Sequence, residues 1–436
     1  MLYLCTPIAT CFFVFTMKRI LIAGVMICAA LGMQAQGNNS GLGGNDEGVE
    51  SLAERVLGLE KKNDMFNVYF NYTASARTDD EAGPWQSSFK AKELRFEITG
   101  RLTDRISYRF RHRLNKTNAA QSVDNFAKAT DMMFVSYRLP GDKVELTGGK
   151  VCQMWGGFEY DENPMYIYQY SDFGEYMDIF FGGAHVSYKP VPTQEFIAQV
   201  THTDNGTTDD YYGCRPVAVH ETGETRALEQ SKAPFTYIFN WNGDFGKGLV
   251  QTRWAAGVQQ QAKGYTSKVV MLGQQLTLPR LQCYFDYMER WDDVDRYGIV
   301  TSELMDRFLG GDYTPTTEFI DHGSVEFAGN EFGHYFTDTH MRSFVTKARW
   351  EFAPKWKLML KGMYDVTGLR KQADYKDYRK VLSYLASLEY YPVRSQDFRV
   401  YLAYLGRHYA YNKASALDNR YTNRIELGFM YRIKCY

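Results

Sequence analysis

The sequence predicts an all-β chain built as a transmembrane antiparallel β-barrel of about 16 strands, and three observations carry that prediction. Aromatic residues make up 16% of the chain, yet the mean hydropathy is -0.42. From Phe66 to the end the apolar positions recur with period two. The connections between the periodic segments alternate between short and mostly long. Many aromatics in a chain that is polar on average suit a wall with one face in lipid and the other in water. A soluble β-sandwich or β-helix shares the composition but has no reason to put its long loops on every second connection.

The chain holds 50 Lys and Arg against 51 Asp and Glu, so its charge balance offers no case for nucleic acid or an anionic surface as partner. At the N-terminus, Lys18 and Arg19 follow Met17, and an apolar run reaches Leu31 before Gly32 to Gln36. This reads as a signal peptide over 1–35 that starts at Met17 and is cut near Ala35, with residues 1–16 an over-extended start. Residues 36–64 read as a periplasmic extension with a short helix on Leu52, Val56 and Leu59. Beyond Gln36 no apolar run is long enough for a spanning helix, so a membrane-spanning mature chain over 65–436 must close as a barrel. Cys152, Cys214, Cys283 and Cys435 form no CxxC pair.

The predicted strands cover 66–77, 88–100, 105–115, 129–138, 143–151, 178–188, 194–204 and 235–242, then 249–260, 268–276, 280–290, 341–352, 356–366, 381–391, 398–407 and 421–434. Each is close to the length that crosses a bilayer at a tilt. Short links rich in Pro, Gly and Asp fall at 101–104, 139–142, 189–193, 243–248, 277–279, 353–355 and 392–396. Longer segments at 152–177, 205–234, 291–340 and 367–380 become external loops, and both chain ends fall on the periplasmic side. In the last strand Ile425, Leu427, Phe429, Tyr431 and Ile433 share one face, with Arg424, Glu426, Arg432 and Lys434 on the other. Charges on the inner face imply a wet lumen, because a charge turned toward the bilayer midplane costs about 2–4 kcal/mol.

Candidate lumen residues follow from the same alternation. Arg105, Arg109, Arg111 and Arg113 share a face and predict a cationic ladder able to pass anions between guanidinium forks. Lys357, Lys361, Arg424 and Arg432 are further wall charges. The alternative pairs the arginines with Glu93 and Glu97 as a plain structural wall. The loop at 152–177 carries Trp155, Tyr160, Asp161, Glu162, Asp172 and Glu175, among other aromatics and acids. A loop so aromatic is expected to fold into the mouth, its acids facing the arginine strand; packing among neighbouring external loops is the alternative. The acidic segment 291–340 reads as a solvated surface loop, with a bridging divalent cation as the lesser reading.

No catalytic residue, cofactor or metal ligand is assigned. The eight His sit in no HExxH or HxH pattern, and neither GxSxG nor a Gly-rich phosphate loop occurs. Passive passage of small polar or anionic solutes is the expected function. A hydrolase site assembled across strands on the barrel exterior and a plugged, non-conducting barrel or adhesin are the alternatives. Conductance separates the pore from both.

Two stretches carry a resemblance. The run from Leu94 through Gly100, Arg101, Asp104 and Arg109 to Phe110 resembles the second-to-third strand hairpin of the phosphate-selective porin O and P family. Gly148-Gly149-Lys150-Val151-Cys152-Gln153-Met154-Trp155-Gly156-Gly157-Phe158-Glu159 is similar to that family's next signature, a Gly-Gln-x-Lys-x-Pro-Phe-Gly-like pattern before the third loop. The leader and short extension are similar to members from the Bacteroidetes. The resemblance implies an anion-conducting 16-stranded barrel in the outer membrane of a Gram-negative cell, in contact with its lipid and assembled as a homotrimer. Trp155-Gly156-Gly157 departs from the Pro-Phe-Gly element, and the loop is acidic rather than basic. Both departures bear on phosphate as the solute.

Overall fold

The computed structural model describes residues 64–213, 216–309, 317–320, 324–327 and 333–436. The expected signal peptide, the extension up to residue 63 and Cys214 lie outside them. Sixteen strands hydrogen-bond antiparallel to their neighbours and close into a ring where the last strand pairs with the first. They are β1 (Asn67–Asp79), β2 (Gln86–Arg101), β3 (Ile106–Arg113), β4 (Thr130–Arg138), β5 (Val144–Cys152), β6 (Phe180–Val191), β7 (Gln194–His202) and β10 (Phe235–Phe245). The ring continues with β11 (Val250–Ala262), β12 (Tyr265–Thr277), β13 (Leu281–Val294), β16 (His334–Ala353), β17 (Trp356–Leu369), β18 (Arg379–Tyr390), β19 (Asp397–Tyr411) and β20 (Arg420–Lys434). Short hairpins β8 (Val217–Val219) with β9 (Thr225–Ala227) and β14 (Thr317–Ile320) with β15 (Ser324–Phe327) belong to the loops.

Every predicted strand overlaps one ring strand. The main difference is length: β16 runs for 20 residues where 341–352 was expected. Its first turns carry β8 alongside in parallel, Val217 opposite His334, so the long loop 203–234 leans on the extended rim.

Burial is inverted relative to a soluble protein. Leu402 and Leu427 on the outer face are 52% and 58% exposed, whereas inward Arg399 and Arg432 are 2% and 3% exposed. Lipid would cover the former, so the alternation expresses two solvents rather than a core and a surface. Connections at one rim are short, such as 192–193 and 354–355, and those at the other carry the long loops.

Described residues within 291–340 depart from the solvated loop expected there. The helix Ile299–Leu309 turns into the mouth and buries Val300, Leu304 and Met305 against Phe336, Leu369 and Tyr378. Asp295 is 3% exposed and accepts the Thr301 amide at 2.7 Å, so one of the acids serves the helix start rather than water. The apolar stripe of that helix outweighs the charge count, which had read as a solvated face.

Candidate functional site: the inward loop and the passage beside it

Residues 153–179 leave β5, cross the lumen and return to β6. Their path is fixed by wall positions that receive the loop. Trp155 is fully buried over Gly257 of β11, where an added Cβ would lie 2.7 Å from the indole ring. Its Nε1 donates to Gln153 Oε1 at 2.8 Å, and Gln153 Nε2 donates to Thr201 at 2.8 Å. The short helix Phe158–Asp161 starts over Asp286 of β13, whose carboxylate accepts the Phe158 and Glu159 amides at 2.9 and 2.7 Å. Gly273 of β12 makes room for that start, since a Cβ there would sit 2.9 Å from Gly157 Cα.

Farther along, the loop is tied to the opposite wall. Lys361 of β17 reaches Glu159 at 2.5 Å and the Gln169 carbonyl at 2.6 Å. Tyr168 donates to Glu389 of β18 at 2.8 Å, and Tyr166 to Asp397 of β19. Lys92 of β2 donates to the carbonyls of Ile167 and Tyr168 at 2.8 and 3.0 Å. Arg424 of β20 also reaches the Tyr168 carbonyl, at 2.8 Å. The helix Asp172–Tyr176 is latched by Asp172, which binds both Arg379 of β18 and Arg407 of β19.

The loop therefore does fold inward, but three of its acids form their ion pairs away from the arginine strand. Asp161 meets Arg253 of β11 at 3.3 Å, Glu162 meets Lys347 of β16 at 2.5 Å, and Asp172 meets β18 and β19. The loop crosses the lumen, so these carboxylates arrive at the far wall. Of the four acids picked out from the sequence, Glu175 lies with Arg113 in one cavity, beside Asp178, and accepts from Gln169 Nε2 at 3.2 Å, while Asp161 shares a second cavity with Arg109. Burial pushes the Asp161 carboxyl up despite Arg253. Burial opposes ionisation at Asp172 too, but Arg379 and Arg407 outweigh it and hold that carboxyl at about 2.

The arginine strand is neutralised largely from its neighbours. Arg109 pairs with Glu97 at 2.6 Å, as the plain-wall alternative supposed. Arg111 and Arg113 instead share Asp131 of β4, at 3.2 and 2.8 Å. Arg95 of β2 joins that cluster, 2.9 Å from Glu93 and 3.3 Å from Asp131. Arg105 departs from the expected ladder: β3 begins at Ile106, and Arg105 stands exposed in the turn before it. Lys357 lies 4.7 Å from the Tyr391 ring and 3.9 Å from Glu351 near the short-turn rim. Arg432 stacks on Tyr69 at 3.7 Å and lies 3.9 Å from Glu97.

Two cavities flank the loop. One of about 460 Å³ lies toward the short-turn rim and is lined by Arg109, Asp161, Glu195 and Arg253 among others. The other, of about 90 Å³, separates the loop from the wall of β1, β2, β3 and β20. That wall brings Arg77, Lys90, Lys92, Arg95, Arg113 and Arg424 together, with Glu93 and Glu426 as its acids. Of these bases only Arg113 and Arg424 were picked out from the sequence. Lys90, Lys92 and Glu93 all reach the cavity because a bulge interrupts the β1–β2 register, with Thr73 opposite Glu93 but Ala74 opposite Ala91. Among the described residues no group of three His, Cys, Asp or Glu side chains is placed to hold a metal ion.

The model of the family phosphate-selective porin O and P matches residues 66–433. No curated protein matches the sequence significantly. Among solved structures, the outer membrane channel DcaP of Acinetobacter baumannii shares 12% identity over 86% of this chain and 98% of its own, with a TM-score of 0.53. The anion-selective porin from Comamonas acidovorans shares 10% over 85% and 99%, with a TM-score of 0.53. In-vitro folded OmpT of Vibrio cholerae, in its trimer form, shares 11% over 85% and 100%, with a TM-score of 0.50. At such identities the likeness is one of fold.

Proposed function

The chain belongs to the phosphate-selective porin O and P family, and from that membership we propose a diffusion pore that prefers anions and conducts beside the inward loop rather than through the barrel axis. The observation that carries the proposal is the small cavity, where six basic side chains on the wall face a loop bearing Glu175 and Asp178. With Glu93 and Glu426 that gives six bases against four acids, a surplus of two confined to the lining (6 − 4 = 2), since Asp79, Glu81 and Asp131, which pair with Arg77, Arg424, Arg95 and Arg113, lie outside it. Low-dielectric walls on both sides strengthen such a surplus. Arg109, Arg111, Arg113, Arg424 and Arg432 contribute to the field, whereas Lys361 holds the loop and Arg105 and Lys357 act near the exit.

The working protein in this reading is a homotrimer in the outer membrane, in contact with its lipid and delivered by a cleaved signal peptide, and it carries no catalysis. The trimer form of OmpT and the anion selectivity of the Comamonas porin support the assembly and the preference. The test is the reversal potential of the refolded chain in a planar bilayer under a KCl gradient. Wild type should shift toward the chloride potential, and Lys90→Ala/Lys92→Ala should move it back toward zero. A cation-preferring wild type, or a double variant indistinguishable from it, overturns the assignment of this wall.

A further inference from the structure

The small cavity has two unlike sides. On the barrel side lie Arg95 and Arg113, only 1% and 8% exposed, and each keeps an Nη1 with no hydrogen-bond partner among the described residues. Buried guanidinium N–H groups are rarely left this way, because an unmet donor costs about 1–3 kcal/mol and more when charged. Lys90, Lys92 and Arg424 stand on the same side. On the loop side the surface is mainly carbon: Pro164, Met177, Phe180 and the rings of Tyr160 and Tyr170. Its polar groups are Gln169, whose amide already donates to Tyr170 O and Glu175, the Tyr170 hydroxyl, the Tyr160 hydroxyl, which has no partner among the described residues, and the acids Glu175 and Asp178.

We infer that this cavity selects small aliphatic carboxylates over inorganic phosphate. The inference rests on the pore reading above and names the solute for the same passage. A carboxylate presents both oxygens at one end, for the bases gathered on the barrel side, and a hydrocarbon body at the other, where the loop offers carbon. Phosphate presents oxygens on every side and charge beyond one, so half of its surface would meet apolar rings and two acids. The size of the space limits the body. At about 90 Å³ it is smaller than the roughly 150 Å³ apolar cavity that accommodates benzene, which favours short chains over aromatic acids.

The experiment records chloride current through the refolded full chain in a planar bilayer while acetate, propionate, butyrate, benzoate or inorganic phosphate is added at fixed ionic strength. The half-blocking concentration should fall from acetate to butyrate by up to about fourfold per methylene, the factor matching ~0.8 kcal/mol per buried CH₂. Butyrate should block below both phosphate and benzoate. In Met177→Ser the dependence on chain length should flatten, and if that variant does not fold the wild-type series decides alone. Phosphate blocking at a lower concentration than butyrate, or a flat wild-type series, overturns the inference and leaves the anion pore standing. Absence of chloride-preferring steps overturns the pore reading, and this inference with it.

Discussion

Removing the charge of Asp172 tests the latch that holds the inward loop. Its carboxylate lies between Arg379 and Arg407, and the three side chains are 2%, 4% and 12% exposed. A carboxyl held at about 2 rather than 3.8 corresponds to about 2 kcal/mol of preference for the ionised, latched state. Breaking a fully buried pair by removing one partner costs about 3–5 kcal/mol. The lower figure applies better here because Arg379 keeps a second acid, Glu303, at 3.1 Å. Asp172→Asn should therefore raise the detached population of the helix Asp172–Tyr176 by about 30-fold, the factor set by 2 kcal/mol at 0.59 kcal/mol of thermal energy. Single-channel recording would register this as more frequent partial closures at unchanged barrel stability.

The pH dependence has a definite sign. The folded value of Asp172 is depressed, so its contribution is complete above the unfolded value near 4 and is lost as pH falls through about 2. Closures in wild type should rise between about pH 4 and pH 2, and the difference from Asp172→Asn should vanish over the same window. A variant with wild-type closure frequency at neutral pH would refute the latch.

Asp286→Ala leaves the buried Phe158 and Glu159 amides without their acceptor, at about 1–3 kcal/mol for each unmet group, and should expose the aromatic loop to chymotrypsin. Unchanged digestion would count against the docking. Leu427→Arg places a charge on the outer face at a site 58% exposed. Urea unfolding in lipid should lose about 2–4 kcal/mol if the site lies near the midplane. No loss would contradict the outward assignment of β20.

The barrel was legible because period two and loop length are both properties of sequence neighbours. Alternation in β20 divides Leu427 from Arg424 wherever the strand lies in the ring. What alternation cannot express is the identity of the opposing wall. Asp161, Glu162 and Asp172 looked like partners for the arginines of β3, and closure of the ring carried them to β11, β16, β18 and β19. Strict period two also fails at a bulge, which is why Lys90 and Lys92 went unnoticed. Lys150 fails it in another way: register puts it opposite the exposed Met133, on the lipid side, where Gln121 and Asp124 of the loop 114–129 cover it. The inward turn of the loop 153–179 was readable from its aromatics, but its docking depends on Asp286, Gly257 and Gly273, which carry no local signal.

The bore of this channel is thus set partly by methyl groups that are missing from the wall. Trp155 and Gly157 approach β11 and β12 as closely as they do only because Gly257 and Gly273 present bare backbone. Loop and barrel consequently do not behave as exchangeable modules. Grafted onto a relative with alanine at those two positions, the same loop would be displaced from its seat and lose its Asp286 contact. Substitution at either glycine would in turn alter the width of the passage without touching any residue a solute meets.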